Sequence, residues 1–122
     1  MGQTARERSV VAAYAPDCGD IVWLNFDPQA GHEQAGHRPA VVLSPRAYNS
    51  RTGLCLVAPV TNQSKGYPFE LALPGTCKTT GVVLCDQVRS LDWKARAATL
   101  KESAGQGFAR DILARFLPLV TW

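Results

Sequence analysis

Apolar residues in this chain gather in short runs separated by polar segments carrying glycine and proline. Residues 21–26 (IVWLNF), 39–43 (PAVVL), 54–60 (LCLVAPV), 69–73 (FELAL) and 82–88 (VVLCDQV) are rich in β-branched and aromatic side chains. Such runs predict strands. The run 54–60 is almost wholly apolar, which predicts a central strand covered on both faces. Asp17-Cys18-Gly19-Asp20 reads as a turn before the first strand, and Asp27-Pro28 stops it. Ser44-Pro45 ends the second strand, and Tyr48-Asn49-Ser50-Arg51-Thr52-Gly53 supplies turn chemistry. Pro74-Gly75 and Thr79-Thr80-Gly81 join the next two strands, residues 90–94 predict a helical turn, and residues 97–101 a short last strand. The period then changes. Phe108, Ile112, Leu113 and Phe116 recur at helical spacing, with Arg110, Asp111 and Arg115 off the stripe. This predicts a short amphipathic helix that opens after Gly105-Gln106-Gly107 and ends at Pro118. The pattern is a mainly β chain with short helices: a small, strongly bent antiparallel sheet or barrel closed by a C-terminal helix.

Length and composition narrow this picture. At 122 residues the chain reads as one domain, residues 14–122, behind an aperiodic tail over residues 1–13. The net charge of +3, from 13 basic and 10 acidic residues, is a mild bias toward anionic partners. No apolar run approaches the roughly 20 residues of a membrane span, and residues 1–13 hold no export-length apolar core. The expected setting is therefore the cytoplasm, without membrane contact. Cys18, Cys55, Cys77 and Cys85 form no CxxC pair and read as free thiols, with Cys55 and Cys85 as small core residues.

Two polar loops, residues 29–37 and 61–68, each adjoin a core strand, the setting in which chemistry tends to sit. The first brings Glu33 and His37 next to Arg38; the second carries Thr61, Ser64 and Lys65. An acid, an imidazole and a guanidinium are a set able to act on a phosphodiester. The planar fork of Arg38 suits a phosphate, whereas a pKa above about 12 makes it a poor base. Glu33 and His37 are the proton-transfer candidates, and Thr61 and Ser64 can donate hydrogen bonds. Structural readings compete. Arg38 can pair with Asp27 or Glu33 at the surface, His37 can cap a turn, and Trp23 and Phe26 can be core. Tyr67 and Trp93 can stack on bases or simply pack. His32, His37 and a cysteine suggest zinc only weakly, because this HxxxxH lies in a glycine loop and lacks a partner pair. There is no phosphate-cradling glycine motif and no GxSxG.

The strings GDIVW, FDP, EQAGHRPAVVLSP, QSKGYPFE and GVVLCDQVRS, in this order, resemble the MazF/PemK family, the toxins of bacterial toxin–antitoxin pairs. The likeness runs from about Tyr14 to Leu100. It implies an SH3-like, CcdB/PemK-type β-barrel that forms homodimers. It also implies a metal-independent, cofactor-free endoribonuclease cutting single-stranded RNA at short sequences, leaving a 2′,3′-cyclic phosphate and a 5′-hydroxyl. Carried over by motif, Arg38 of GHRP and Thr61 ahead of QSKGYP are the catalytic residues, with Glu33 and His37 in substrate binding or proton transfer. Gln29, Asn62, Gln63, Ser64, Lys65 and Arg89 are the implied substrate contacts. Asn62 stands where the family commonly has threonine. The resemblance further implies a MazE-like antitoxin with an acidic C-terminal segment, and a complex that binds promoter DNA mainly through the antitoxin. The rival readings are a non-enzymatic gyrase inhibitor in the manner of CcdB and a barrel that binds RNA without cutting it.

Overall fold

A computed structural model describes residues 14–27 and 36–122. The expected tail over residues 1–13 lies outside them. Seven strands and two helices follow among the described residues: β1 (Asp20–Asn25), β2 (His37–Val42), α1 (Arg46–Thr52), β3 (Leu54–Thr61), β4 (Glu70–Ala72), β5 (Val82–Leu84), β6 (Arg89–Asp92), β7 (Thr99–Ser103) and α2 (Gln106–Phe116). A 3₁₀ turn at Leu117–Leu119 takes up Pro118. The strands pair antiparallel in the order β4-β5-β3-β2-β1-β7, with β6 also on β3. Among the described residues no helix is long and apolar enough to cross a membrane.

The central strands are apolar on both faces because each face has its own cover. Ile21, Val41, Leu43, Ala58 and Val60 pack with Phe108, Ala109 and Ile112 of α2. Val22, Leu24, Phe26, Ala40, Val42, Cys55 and Val57 pack with Leu91 and Trp93. Every residue from Val57 to Thr61 in β3 is buried, as the apolar run predicts, while Leu54 and Leu56 are exposed. Val57 is the last β3 residue paired with β6 and Val60 the first paired with β5. Pro59 falls between these two ladders, where the missing N–H costs no pairing on that edge.

The polar stretch read as turn chemistry is instead helix α1. Its Asn49 is fully buried. The Asn49 amide donates to the carbonyls of Pro16 and Ser44, both at 2.9 Å, and its Oδ1 accepts the Ser44 hydroxyl at 2.6 Å. The Asn49 carbonyl accepts the Trp93 indole N–H at 2.9 Å. The Asp17 carboxylate takes the Arg46 N–H at 3.0 Å, satisfying one donor that the first helical turn leaves open. Gly53 closes the helix at φ 74°.

Three further expectations shift. Residues 90–94 do not form a helical turn, because Ser90-Leu91-Asp92 alternates out, in, out along β6 and pairs with β3. Trp93, 6% exposed with its N–H bound inside, is a packing residue and cannot stack on a base. The strand expected over residues 82–88 stops at Leu84, where a turn forms with Gln87 N–H on the Leu84 carbonyl at 3.1 Å. That turn moves the chain from the Val60–Thr61 end of β3 to its Leu54–Val57 end. The last strand begins at Thr99 rather than 97, after Ala97 at φ 55°.

Candidate active site

β2 begins at His37, so His37 and Arg38 point to opposite faces of the sheet. His37 meets Trp23, ring centroids 5.6 Å apart at 48°, and the Lys101 ammonium lies 5.6 Å from the same indole. Arg38 shares the face of Ala40 and Val42, and Thr61 the face of Cys55 and Val57, all four in one core cluster. The β2–β3 pairing ends at Ala40 opposite Pro59. Continued by two residues, that register sets position 38 opposite position 61 on the same face. Arg89 comes to this rim from β6. It pairs opposite Val57, and its guanidinium carbon is 5.7 Å from the centroid of the buried Phe26 ring.

The neck of the first loop is tightly bonded. Phe26 N–H donates to the Gly36 carbonyl and Gly36 N–H to the Asp27 carboxylate, both at 2.8 Å. Arg96 Nη1 donates to the carbonyls of Asn25 and Asp27 at 3.0 and 2.9 Å. Glu33, Gln29 and His32 lie outside the described residues.

The second loop starts at Thr61, which is only 5% exposed. Its Oγ1 accepts the Gln63 N–H at 3.1 Å, which leaves the hydroxyl proton to donate. Asn62 Oδ1 accepts the Thr80 hydroxyl at 3.0 Å. Gly81, at φ +112°, presses its backbone against this corner; a Cβ there would clash with the Thr61 carbonyl oxygen. Ser64, expected as a substrate contact, donates its hydroxyl to Glu70 at 2.7 Å. The same carboxylate accepts the N–H groups of Lys65 at 2.9 Å and Gly66 at 3.0 Å. These bonds, the Lys65 one foremost, hold the Glu70 carboxyl below the usual carboxylate range.

A cleft of about 360 Å³ opens beside Thr61, lined by Gln63, Lys65, Tyr67 and Glu70 on one side and Leu84, Asp86 and Gln87 on the other. Tyr67, 57% exposed, is the tyrosine of this lining. Glu70, Asp86 and Gln87 are the residues that sequence reasoning missed. The available signal was Asp86-Gln87, a polar pair interrupting an apolar run. The cleft gathers Thr61 and Lys65 with aromatic, amide and carboxylate residues, and Arg38 and Arg89 lie on β2 and β6, the strands that flank β3. That arrangement can bind a phosphodiester and the bases attached to it.

Comparison with known proteins agrees with this architecture. A family model described as "PemK-like, MazF-like toxin of type II toxin-antitoxin system" matches residues 17–119. The endoribonuclease toxin MazF of Escherichia coli strain K12 is 60% identical over 92 residues, 75% of this chain and 82% of that protein. The Escherichia coli endoribonuclease PemK is 39% identical over 107 residues, 84% of this chain and 80% of its own. The crystal structure of MazF from Deinococcus radiodurans superimposes with a TM-score of 0.84 at 51% identity, covering 88% of this chain and 98% of that one. A chain of the MazE–MazF complex (Form-III) from the same organism gives 0.78 at 48% identity, covering 88% and 97%. The fold is thus the mainly antiparallel CcdB/PemK type with a C-terminal helix. With both sequence and fold in agreement over most of its length, this chain belongs to the PemK-like, MazF-like toxins of type II toxin–antitoxin systems.

Proposed function

We propose that this protein is an endoribonuclease toxin that cuts single-stranded RNA, mRNA included, at short recognition sequences without a metal ion. The observation that carries the reading is the common rim of Arg38 and Thr61 implied by the β2–β3 register. The 2′-hydroxyl attacks the adjacent phosphorus and the 5′-oxygen leaves, taking up a proton from water, which gives a 2′,3′-cyclic phosphate and a 5′-hydroxyl. The Arg38 guanidinium binds the non-bridging oxygens and offsets the charge that grows on them; it stays protonated and is not the base. Thr61 donates a hydrogen bond to the same oxygens. Glu33 takes the 2′-hydroxyl proton. His37 is the second candidate for proton transfer, but its contact with Trp23 draws the ring to the opposite face. Arg89 and Lys65 hold the RNA backbone, and Gln29, Asn62 and Gln63 touch bases.

The MazE–MazF complexes of Deinococcus radiodurans support a cognate antitoxin as partner. Its acidic segment would cover the Arg38–Arg89 rim and exclude RNA. The protein acts as a homodimer in the cytoplasm, and promoter DNA is reached mainly through the antitoxin. The test is cleavage of RNA in EDTA by the wild type and by Arg38→Ala, with RNA ends mapped by primer extension. Cleavage by the wild type and its loss in a folded Arg38→Ala variant are expected. Undiminished cleavage by that variant would remove the mechanism. Intact RNA together with blocked gyrase supercoiling would favour the CcdB-like alternative.

A further inference from the structure

We propose, building on the ribonuclease reading above, that Glu70 is a positioning residue for substrate: its carboxylate holds residues 63–67 in place as the RNA-facing wall of the cleft beside Thr61. Among the described residues, the hydrogen bonds of Ser64, Lys65 and Gly66 all end on this one carboxylate. Both ends of the segment are anchored as well. Gln63 N–H is on Thr61 Oγ1, and Glu70 N–H is on the Tyr67 carbonyl. Glu70 itself pairs with Leu84 in the β4–β5 ladder, so the carboxylate is fixed to the core rather than to the loop it gathers. From the far side Arg115 of α2 donates to the Pro68 carbonyl at 2.7 Å.

The consequence is a division of labour within one short stretch. Backbone N–H groups and the Ser64 hydroxyl turn inward to Glu70. Gln63, Lys65 and Tyr67 line the cleft together with Asp86 and Gln87. An aromatic ring flanked by amide and carboxylate groups is the chemistry that receives a nucleobase, by stacking and by bonds to its edge. A loop not gathered by an anion would leave three donors converging on one point without an acceptor and would open into water. RNA would then have to order it on binding. Glu70 thus acts through binding of substrate, while Arg38 and Thr61 act on the reacting phosphate.

Three variants of the full-length protein test this: Glu70→Gln, which keeps shape but replaces one acceptor oxygen by a donor, Ser64→Ala, which deletes one of the three bonds, and Arg115→Ala. Steady-state cleavage of an RNA bearing a single cut site is measured together with amide hydrogen exchange of residues 63–67. Glu70→Gln is expected to raise KM about tenfold or more, the scale of a lost charge-assisted hydrogen bond, with kcat within about threefold. Its Lys65 and Gly66 amides should exchange at least about tenfold faster. Ser64→Ala and Arg115→Ala should move both readouts the same way by less. Faster exchange with unchanged KM, or unchanged exchange, overturns the proposal. Should Glu70→Gln fail to fold, Ser64→Ala decides by the same two readouts. A wild type that leaves RNA intact refutes the ribonuclease reading instead, and the exchange measurement still tests the hold of Glu70 on the loop.

Discussion

Replacing Thr61 by valine separates what its hydroxyl does for the fold from what it does for the reaction. Valine keeps the β-branch, so the pairing of this position with Val82 and its burial at 5% exposure survive. The fold loses one bond, the Gln63 N–H on Oγ1 at 3.1 Å. Gln63 is exposed, so water can replace that acceptor, and the cost is about 0.5–1 kcal/mol. On a protein of this size that lowers Tm by about 5 °C or less. In the proposed mechanism the reaction loses a donor aimed at charge developing on phosphorus-bound oxygens, which is worth about 3–4 kcal/mol, or roughly 10²–10³ in rate. Single-turnover cleavage of a labelled RNA, read beside a thermal melt, should therefore show a large kinetic defect in a protein that is nearly as stable as the parent. Thr61→Ser, which restores the hydroxyl without the methyl, should return to within about tenfold of the parent rate. A Thr61→Val variant cutting within about fivefold of wild type refutes the reasoning. So does a folded Thr61→Ser variant as inactive as the valine one.

Other perturbations give equally distinct outcomes. His37→Phe preserves a ring against Trp23 and removes the imidazole; cleavage near neutral pH should stay within about threefold of wild type, while Glu33→Gln should lose about 10² or more. Equal inactivation of the two would return proton transfer to His37. Asn49→Leu strands the Ser44 hydroxyl and the carbonyls of Ser44 and Pro16 without their partner, and urea unfolding should register a loss of about 2–5 kcal/mol. A loss under about 1 kcal/mol would mean that α1 is held by something else. Burial pushes the Cys55 thiol up to about 12. A raised thiol pKa favours the neutral form in the folded state. This contribution is complete below the ordinary value of 9.0 and is lost as pH rises through about 12. Alkylation of the native protein at pH 8 should thus spare Cys55 and Cys85 and reach the half-buried Cys18 and Cys77 first, a pattern that mass mapping of labelled peptides reads directly.

The strands were legible wherever side-chain burial made them. Residues 54–60 announced a strand covered on both sides, and Phe108, Ile112 and Leu113 announced the face of α2. Helix α1 was illegible because Tyr-Asn-Ser-Arg-Thr has the composition of a turn. Its helicity is imposed from outside, by Asn49 bonding to Pro16 and by Asp17 at its first turn. Gly53 at its end was the one local cue. In the site, the motifs carry Arg38 and Thr61, but the separation of His37 from Arg38 needed the exact start of β2. A strand read from residue 39 puts both in one loop. Glu70 was out of reach because its partners depend on how residues 63–67 curl, which no periodicity encodes.

Strands β2 and β3 are greasy on both faces, so a slip of one residue between them would still bury oil against oil. Hydrophobicity alone therefore does not choose their alignment. The spacer between them does: α1, a fixed number of residues long and bolted down by the Asn49 amide and the Asp17 carboxylate, acts as a gauge block. A one-residue slip would set His37 in one direction, or Pro39 in the other, across from Thr61 in place of Arg38. The barrel would look intact and the chemistry would be gone.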